Sequence, residues 1–128
     1  MEQKKIAAAT LLFLLTGTAL AGQPERYYAD NWCSGRGQRE ARMPDKTRCD
    51  CLTATHAVEF DFGPKWAEAI GQSLNYALQT NKRAGIVLIL RDKKDYKYWV
   101  RLNSVIQHHK LPIDTWMAQG ESPPPLSC

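Results

Sequence analysis

The sequence predicts an α/β domain: a three-stranded antiparallel meander, a crossover helix and a buried fourth strand, linked by disulfides. Three observations predict it. Short runs of strand character at Glu40 to Met43, Thr47 to Thr53 and His56 to Phe62 follow one another through tight turns. Apolar and small residues at Trp66, Ala69, Ile70, Ser73, Leu74, Ala77 and Leu78 recur at helical spacing, ending near Thr80. Residues 85–90, Gly-Ile-Val-Leu-Ile-Leu, form an unbroken aliphatic run, the pattern of a strand covered on both faces and usually parallel to a neighbour. Strand, helix, buried strand is a crossover unit, for which the right-handed form is the rule.

Taken in order, the chain opens with Lys4 and Lys5, an apolar run from Ile6 to Leu15, and Ala19-Leu20-Ala21 as a small-x-small cleavage site. Residues 1–21 read as a secretory signal peptide, and the apolar run is short for a membrane span. Cleavage after Ala21 leaves 107 residues, 22–128, enough for one small domain. Loss of Lys4, Lys5 and Glu2 takes the formal charge from +4 to +3. A mildly basic chain permits an anionic partner without requiring one. The expected location is periplasmic or secreted.

All four cysteines, Cys33, Cys49, Cys51 and Cys128, follow the leader. An even count in an exported chain predicts two disulfides. Cys49 and Cys51 share one face of a strand and would strain if bridged to each other. Each therefore reaches outward, one to Cys33 and one to Cys128, in either pairing. The C-x-C spacing lacks the paired knuckles of a structural zinc site.

Residues 23–37 suit a short helix or irregular arm whose Tyr27, Tyr28 and Trp32 pack on the sheet, with Gly35 and Gly37 ending it. Pro44-Asp45-Lys46 is a turn in which Pro presets φ and Asp bonds its own backbone. Gly63-Pro64 stops the third strand, and Pro64 fits a first helical turn. Tyr96, Trp99, Val100, Asn103, Ile106 and Gln107 suit a second amphipathic helix to about His109. Leu111 to Trp116 suits a short edge strand. From about Ala118 the chain becomes an extended Pro-rich tail pinned by Cys128.

The chemistry lies between Glu40 and Tyr76. Residues two apart in a strand share a face, so Glu59 and Asp61 project together while Phe60 and Phe62 turn away. Asp50, on the neighbouring strand, brings a third carboxylate. Such a cluster repels itself unless protons or a cation neutralise it, and Mg²⁺ takes oxygen ligands of this kind. Lys65 opens the next helix, and Gln72 and Tyr76 lie one turn apart on it. Each residue also has a purely structural role open to it. Asp50 can be a surface partner of Arg48, and Glu59 with Asp61 the wet face of an edge strand. Lys65 and Glu68 can be an ordinary helix pair, Gln72 a tie between helix and sheet, and Tyr76 plain core. No Gly-x-Ser-x-Gly or His-Glu-x-x-His motif offers another mechanism, and adjacent His108 and His109 point to different helix faces.

The order of these features resembles the core of the PD-(D/E)XK nuclease superfamily, the restriction-endonuclease-like fold. More narrowly, the stretch from about Glu40 to Trp116 resembles a family of small exported, largely uncharacterised bacterial proteins. Its shared run is close to R-x-D-C-L-T-x-T-H-A-x-E-x-D-F-x-x-K-W-A-E-A-I-G-Q-x-L-x-Y-A. The resemblance implies that Asp50 is the motif aspartate and Glu59 the first carboxylate of the Glu-x-Lys step. It likens Glu40 to the acid that precedes the sheet, and Gln72 and Tyr76 to a Gln-x-x-x-Tyr substrate-binding pair. The chain departs from the pattern at Asp61, which stands where the superfamily has Lys, and Lys65 is positioned to take over that cation's place. What the resemblance implies is a nuclease that hydrolyses DNA or RNA with Mg²⁺ or Mn²⁺ held by Asp50, Glu59 and Asp61. The alternative is an inactive nuclease-fold protein that binds nucleic acid or another envelope component.

Overall fold

The structure, a computed structural model, describes residues 22–120. The expected leader and most of the expected tail, with Cys128, lie outside the described residues. Helix α1 (Glu25–Cys33) leads into strands β1 (Gly37–Arg42), β2 (Arg48–Thr53) and β3 (His56–Phe62). A 3₁₀ turn (Gly63–Lys65) opens helix α2 (Trp66–Thr80), and β4 (Arg83–Leu90) follows. A second 3₁₀ turn (Lys93–Asp95) opens α3 (Tyr96–His109), and β5 (Ile113–Gln119) ends the described chain. The five strands form one mixed sheet in sequence order. β1, β2 and β3 are antiparallel, whereas β3, β4 and β5 are parallel.

The expected meander, crossover helix and buried strand are all present. β4 lies inside the sheet, and every residue from Ala84 to Leu90 is buried. Val87 and Ile89 meet Val58, Phe60, Ala29 and Trp32 on the α1 side. Ile86, Leu88 and Leu90 meet Ala69 and Leu102 on the side of α2 and α3. Gly85 permits the first of these layers, since a Cβ there would come within 2.8 Å of the Trp116 ring. Trp116 in turn stacks near Trp32 and His56. The turn after β1 forms as its residues dictate, with Asp45 Oδ1 accepting from the Thr47 N–H at 3.0 Å.

Several details differ from the sequence reading. β1 starts at Gly37 rather than Glu40, and β5 runs to Gln119, so the expected tail start at Ala118 is still strand. Tyr28 and Trp32 pack against the sheet, but Tyr27 is 47% exposed. On α2 the buried line is Ala69, Ser73 and Tyr76. Leu78 stands nine positions from Ala69, half a turn out of phase at 3.6 residues per turn, and is 80% exposed. On α3 the buried centre is Leu102, flanked by Tyr98, Trp99 and Ile106. The expected stripe is thus rotated, leaving Tyr96 and Val100 outside.

Of the pairings left open, Cys33 bonds Cys51, 18 residues apart, and ties α1 to β2. Cys49 is buried and unbridged among the described residues. Closing a loop of that length stabilises a fold by about 3 kcal/mol. Cys33→Ser should therefore lower unfolding free energy by about that amount in a urea melt. An unchanged midpoint would mean that packing alone holds α1.

Candidate functional site

β2 and β3 pair only at Cys51↔Val58 and Leu52↔Ala57. Toward Cys49 the ladder stops, and the Phe60 N–H donates instead to Asp50 Oδ2 at 2.8 Å. On the other side β1 and β2 are in register at Arg39↔Cys51 and Ala41↔Cys49, but the intervening Glu40 and Asp50 do not pair. Glu40 has φ +49° there, and the Arg39 guanidinium donates to the Asp50 carbonyl. Asp50 thus occupies a gap in both ladders, with its carboxylate turned onto β3.

The inner strand brings the other acids. β3 pairs with β4 along its whole length, Glu59 beside Ile86 and Asp61 beside Leu88. Phe60 and Phe62 pack on the α1 side, so Glu59 and Asp61 project from the opposite face as the alternation requires. Both are 6% exposed. The solvent-face reading of this pair is therefore excluded, because β3 is an interior strand. Glu59 Oε2 and Asp61 Oδ2 are buried with no hydrogen-bond partner among the described residues. Leaving such oxygens unpaired costs free energy unless a proton or cation meets them.

Asp50 and Glu59 lie close enough for each carboxyl to shift the other. Burial raises the pKa of both, with the charge of each neighbour adding to Glu59 and the Phe60 N–H opposing at Asp50. Burial and the Glu25 charge push Asp61 up to about 7, against the pull of Lys65. Glu25, in the first turn of α1, is itself raised by burial and by Asp50, with Lys65 and Arg39 opposing. Four carboxylates therefore feel one another at the end of the sheet where α1 and α2 begin. Glu25 is the member that sequence reasoning missed. An acid in a first helical turn reads as an ordinary partner of the helix dipole, and nothing in its spacing links it to β3.

The remaining expected residues divide. Tyr76 is buried beside Cys49, Ala57 and Met43, and burial together with the Glu59 and Asp50 charges raises its hydroxyl. Gln72, one turn nearer Lys65, is exposed. Lys65 is exposed at the start of α2 and close enough to stabilise the charges of Asp61 and Glu25. Glu40 is exposed and paired with Arg48 at 3.5 Å, at the rim rather than in the cluster. The Arg48 partner is thus Glu40, not Asp50.

Among the described residues no three His, Cys, Asp or Glu side chains are arranged to enclose an ion. What they present is a close pair, Asp50 and Glu59, with an unpaired Asp61 oxygen beside it. All donors are oxygen, and Mg²⁺ is usually held by only one or two protein carboxylates, its other positions going to water and phosphate. The residues fit that ion. A second polar cluster, Thr55, His56, Asp114 and Arg83, lies at the opposite end of the parallel strands. His56 Nε2 meets Asp114 Oδ2 at 2.7 Å and Arg83 also binds Asp114, which clasps β3, β4 and β5 together.

Comparison with protein-family models, curated proteins and solved structures finds no match for this chain.

The raised carboxyls fix a pH dependence. For Asp61 the ordinary value is 3.8 and the folded value about 7. Between those values the folded chain holds a proton that the unfolded chain has lost, so stability falls as pH rises through that window. Glu59 extends the loss to higher pH. In EDTA the protein should melt higher at about pH 5 than at about pH 8, and Asp61→Asn should flatten the slope. A melting temperature that rises across this range would contradict the burial assigned to these acids.

Proposed function

We propose that this chain is an exported, metal-dependent nuclease of restriction-endonuclease-like type that hydrolyses phosphodiester bonds in DNA or RNA. The observation that carries the reading is the pair of unpartnered, buried carboxylate oxygens on β3, with Asp50 held beside them by the Phe60 N–H. A purely structural cluster would have been satisfied by neighbouring donors or left in water. The element order, with a helix, a meander, a crossover helix and a buried parallel strand, agrees with the resemblance in the sequence. The disulfide, and the lack of any membrane-length apolar helix among the described residues, suit an extracytoplasmic protein.

In this reading Asp50 and Glu59 would hold the cation, water and phosphate would take its other positions, and Asp61 beside them would tune their charge. A bound Mg²⁺ or Mn²⁺ supplies Lewis-acid polarisation of the scissile phosphodiester. The Lys65 ammonium, free to swing at the start of α2, orients the attacking water and offsets charge that develops on the phosphoryl oxygens. Asp61 occupies the position two beyond Glu59, so Lys65 is the cation left to do this. Tyr76, buried beside the pair, has a hydroxyl that feels the Glu59 and Asp50 charges, while exposed Gln72 is available to a phosphate or base.

Mg²⁺ or Mn²⁺ should raise the melting temperature, because a ligand that binds only the folded state stabilises it, and should switch on cleavage. Asp50→Ala and Glu59→Ala should each abolish both effects. Lys65→Ala should keep the thermal shift and lower the cleavage rate by about a hundredfold or more. Thermal stabilisation without cleavage of any DNA or RNA would favour the inactive, binding-only alternative. No response to metal at all would reject both.

A further inference from the structure

A cavity of about 580 Å³ opens at the carboxyl ends of β4 and β5, walled by Leu90, Arg91, Asp92, Lys93, Tyr96, Gln119 and Gly120. We propose that this cavity is a subsite for one unpaired nucleotide, and that the chain's substrate is single-stranded nucleic acid. The inference rests on the nuclease reading for the cleavage step and names the substrate class of that site.

The cavity lies near the carboxylates in the sheet. Asp61 pairs with Leu88 across the sheet, and Leu90, two residues on, lies on the same face and lines the cavity. Strand geometry puts Leu90 about 8 Å from Asp61. The surface between them is cationic and aromatic. Tyr98 lies against Gly63, where a Cβ would come within 2.8 Å of its ring. Lys97 and Arg101 sit over that ring at 5.1 and 5.5 Å. On the other side the Arg91 guanidinium stacks on Phe62 at 4.1 Å.

Two acids stand among these cations: Asp92 accepts from the Lys94 N–H at 2.7 Å and Asp95 from the Arg91 N–H at 2.8 Å. They offset part of the charge, but Arg91, Lys93, Lys94, Lys97 and Arg101 outnumber them. Among the described residues Arg91, Lys93, Lys97 and Arg101 form no ion pair. Unpaired cations suit the phosphates of a nucleic acid backbone. Tyr96, turned outward by the rotated stripe of α3, is 55% exposed in the cavity wall. An exposed ring beside cations is what a base stacks on in sequence-tolerant single-strand binding. The volume falls within the range of about 300–1,000 Å³ for small-ligand sites, which suits one nucleotide. A base still paired in a duplex cannot enter it.

The test is fluorescence anisotropy with labelled oligo(dT), oligo(rU) and a duplex of equal length, in EDTA so that cleavage plays no part. Either single strand should bind at least tenfold tighter than the duplex. Tyr96→Ala should weaken single-strand binding about five- to hundredfold, the scale of one stacked base, while Tyr96→Phe restores it. Arg91→Gln and Lys93→Gln should each reduce the salt dependence of binding. Binding of neither single strand, duplex binding as tight as single-strand binding, or indifference to Tyr96→Ala would overturn the proposal. The two readings fail separately. A chain that binds strands through Tyr96 but never cuts them loses only the nuclease assignment. A chain that cuts duplex and single strands alike, unaffected by Tyr96→Ala, loses only this subsite.

Discussion

The placement of the site depends on one hydrogen bond, from the Phe60 N–H to Asp50 Oδ2. A strand N–H inside a sheet needs an acceptor, and a carbonyl of β2 would ordinarily provide it. Here a side chain provides it, so β2 can part from β3 without leaving an orphan donor. The gap that opens admits the Asp50 carboxylate next to Glu59. Because β3 continues its pairing with β4 from His56 to Phe62, the strand that carries Glu59 and Asp61 stays straight and buried. The acids are held on a rigid element while their neighbouring strand gives way around them.

That arrangement raises the energetic cost of the site and concentrates it. Three of the four interacting carboxyls sit on the sheet, and the fourth, Glu25, arrives on α1, which the Cys33–Cys51 bond ties to the same strand as Asp50. Lys65 and Arg39 offset part of the charge but neither reaches the Glu59 Oε2 or Asp61 Oδ2 oxygens. The rest of the molecule is built to carry such a defect. Phe60, Ile86, Leu88, Ile89 and Leu102 are fully buried on either side of the sheet, so the unsatisfied oxygens of β3 are backed by a well-packed apolar core.

Much of this was legible in the sequence, for reasons that differ by element. The unbroken run at residues 85–90 could only be an interior strand, and the alternation through Glu59, Phe60, Asp61 and Phe62 put the acids and aromatics on opposite faces. Both rules depend on local geometry alone. What stayed hidden depends on contacts between elements. The phase of α3 was set by Leu102 meeting β4, which no count of apolar residues within the helix reveals. Leu78 satisfied an i, i+4 pattern with Leu74 yet faces away, because Ala69, Ser73 and Tyr76 define the face that touches the sheet. Glu25 joins the site across 25 residues of chain from Asp50, and Cys33 could be paired with Cys51 only once α1 was seen lying on β2.

Position 61 shows how these constraints meet. A cation there would sit beside Glu59 on the same strand face, close to Asp50 and Glu25. The aspartate instead adds a buried negative charge, and burial with Glu25 pushes its pKa up to about 7. Near neutral pH such a group is divided between protonated and ionised forms. Protonated, it is one fewer charge in the cluster; ionised, it adds to the repulsion that already raises Glu59. Lys65 cannot be buried with them, since Pro64 and Lys65 are both exposed at the start of α2. Its cation therefore acts from the open side, the side from which Tyr98, Lys97 and Arg101 approach across Gly63. The positive charge nearest the acids thus sits at the start of α2 and at the solvent edge of the site, while the buried strand positions carry only carboxylates.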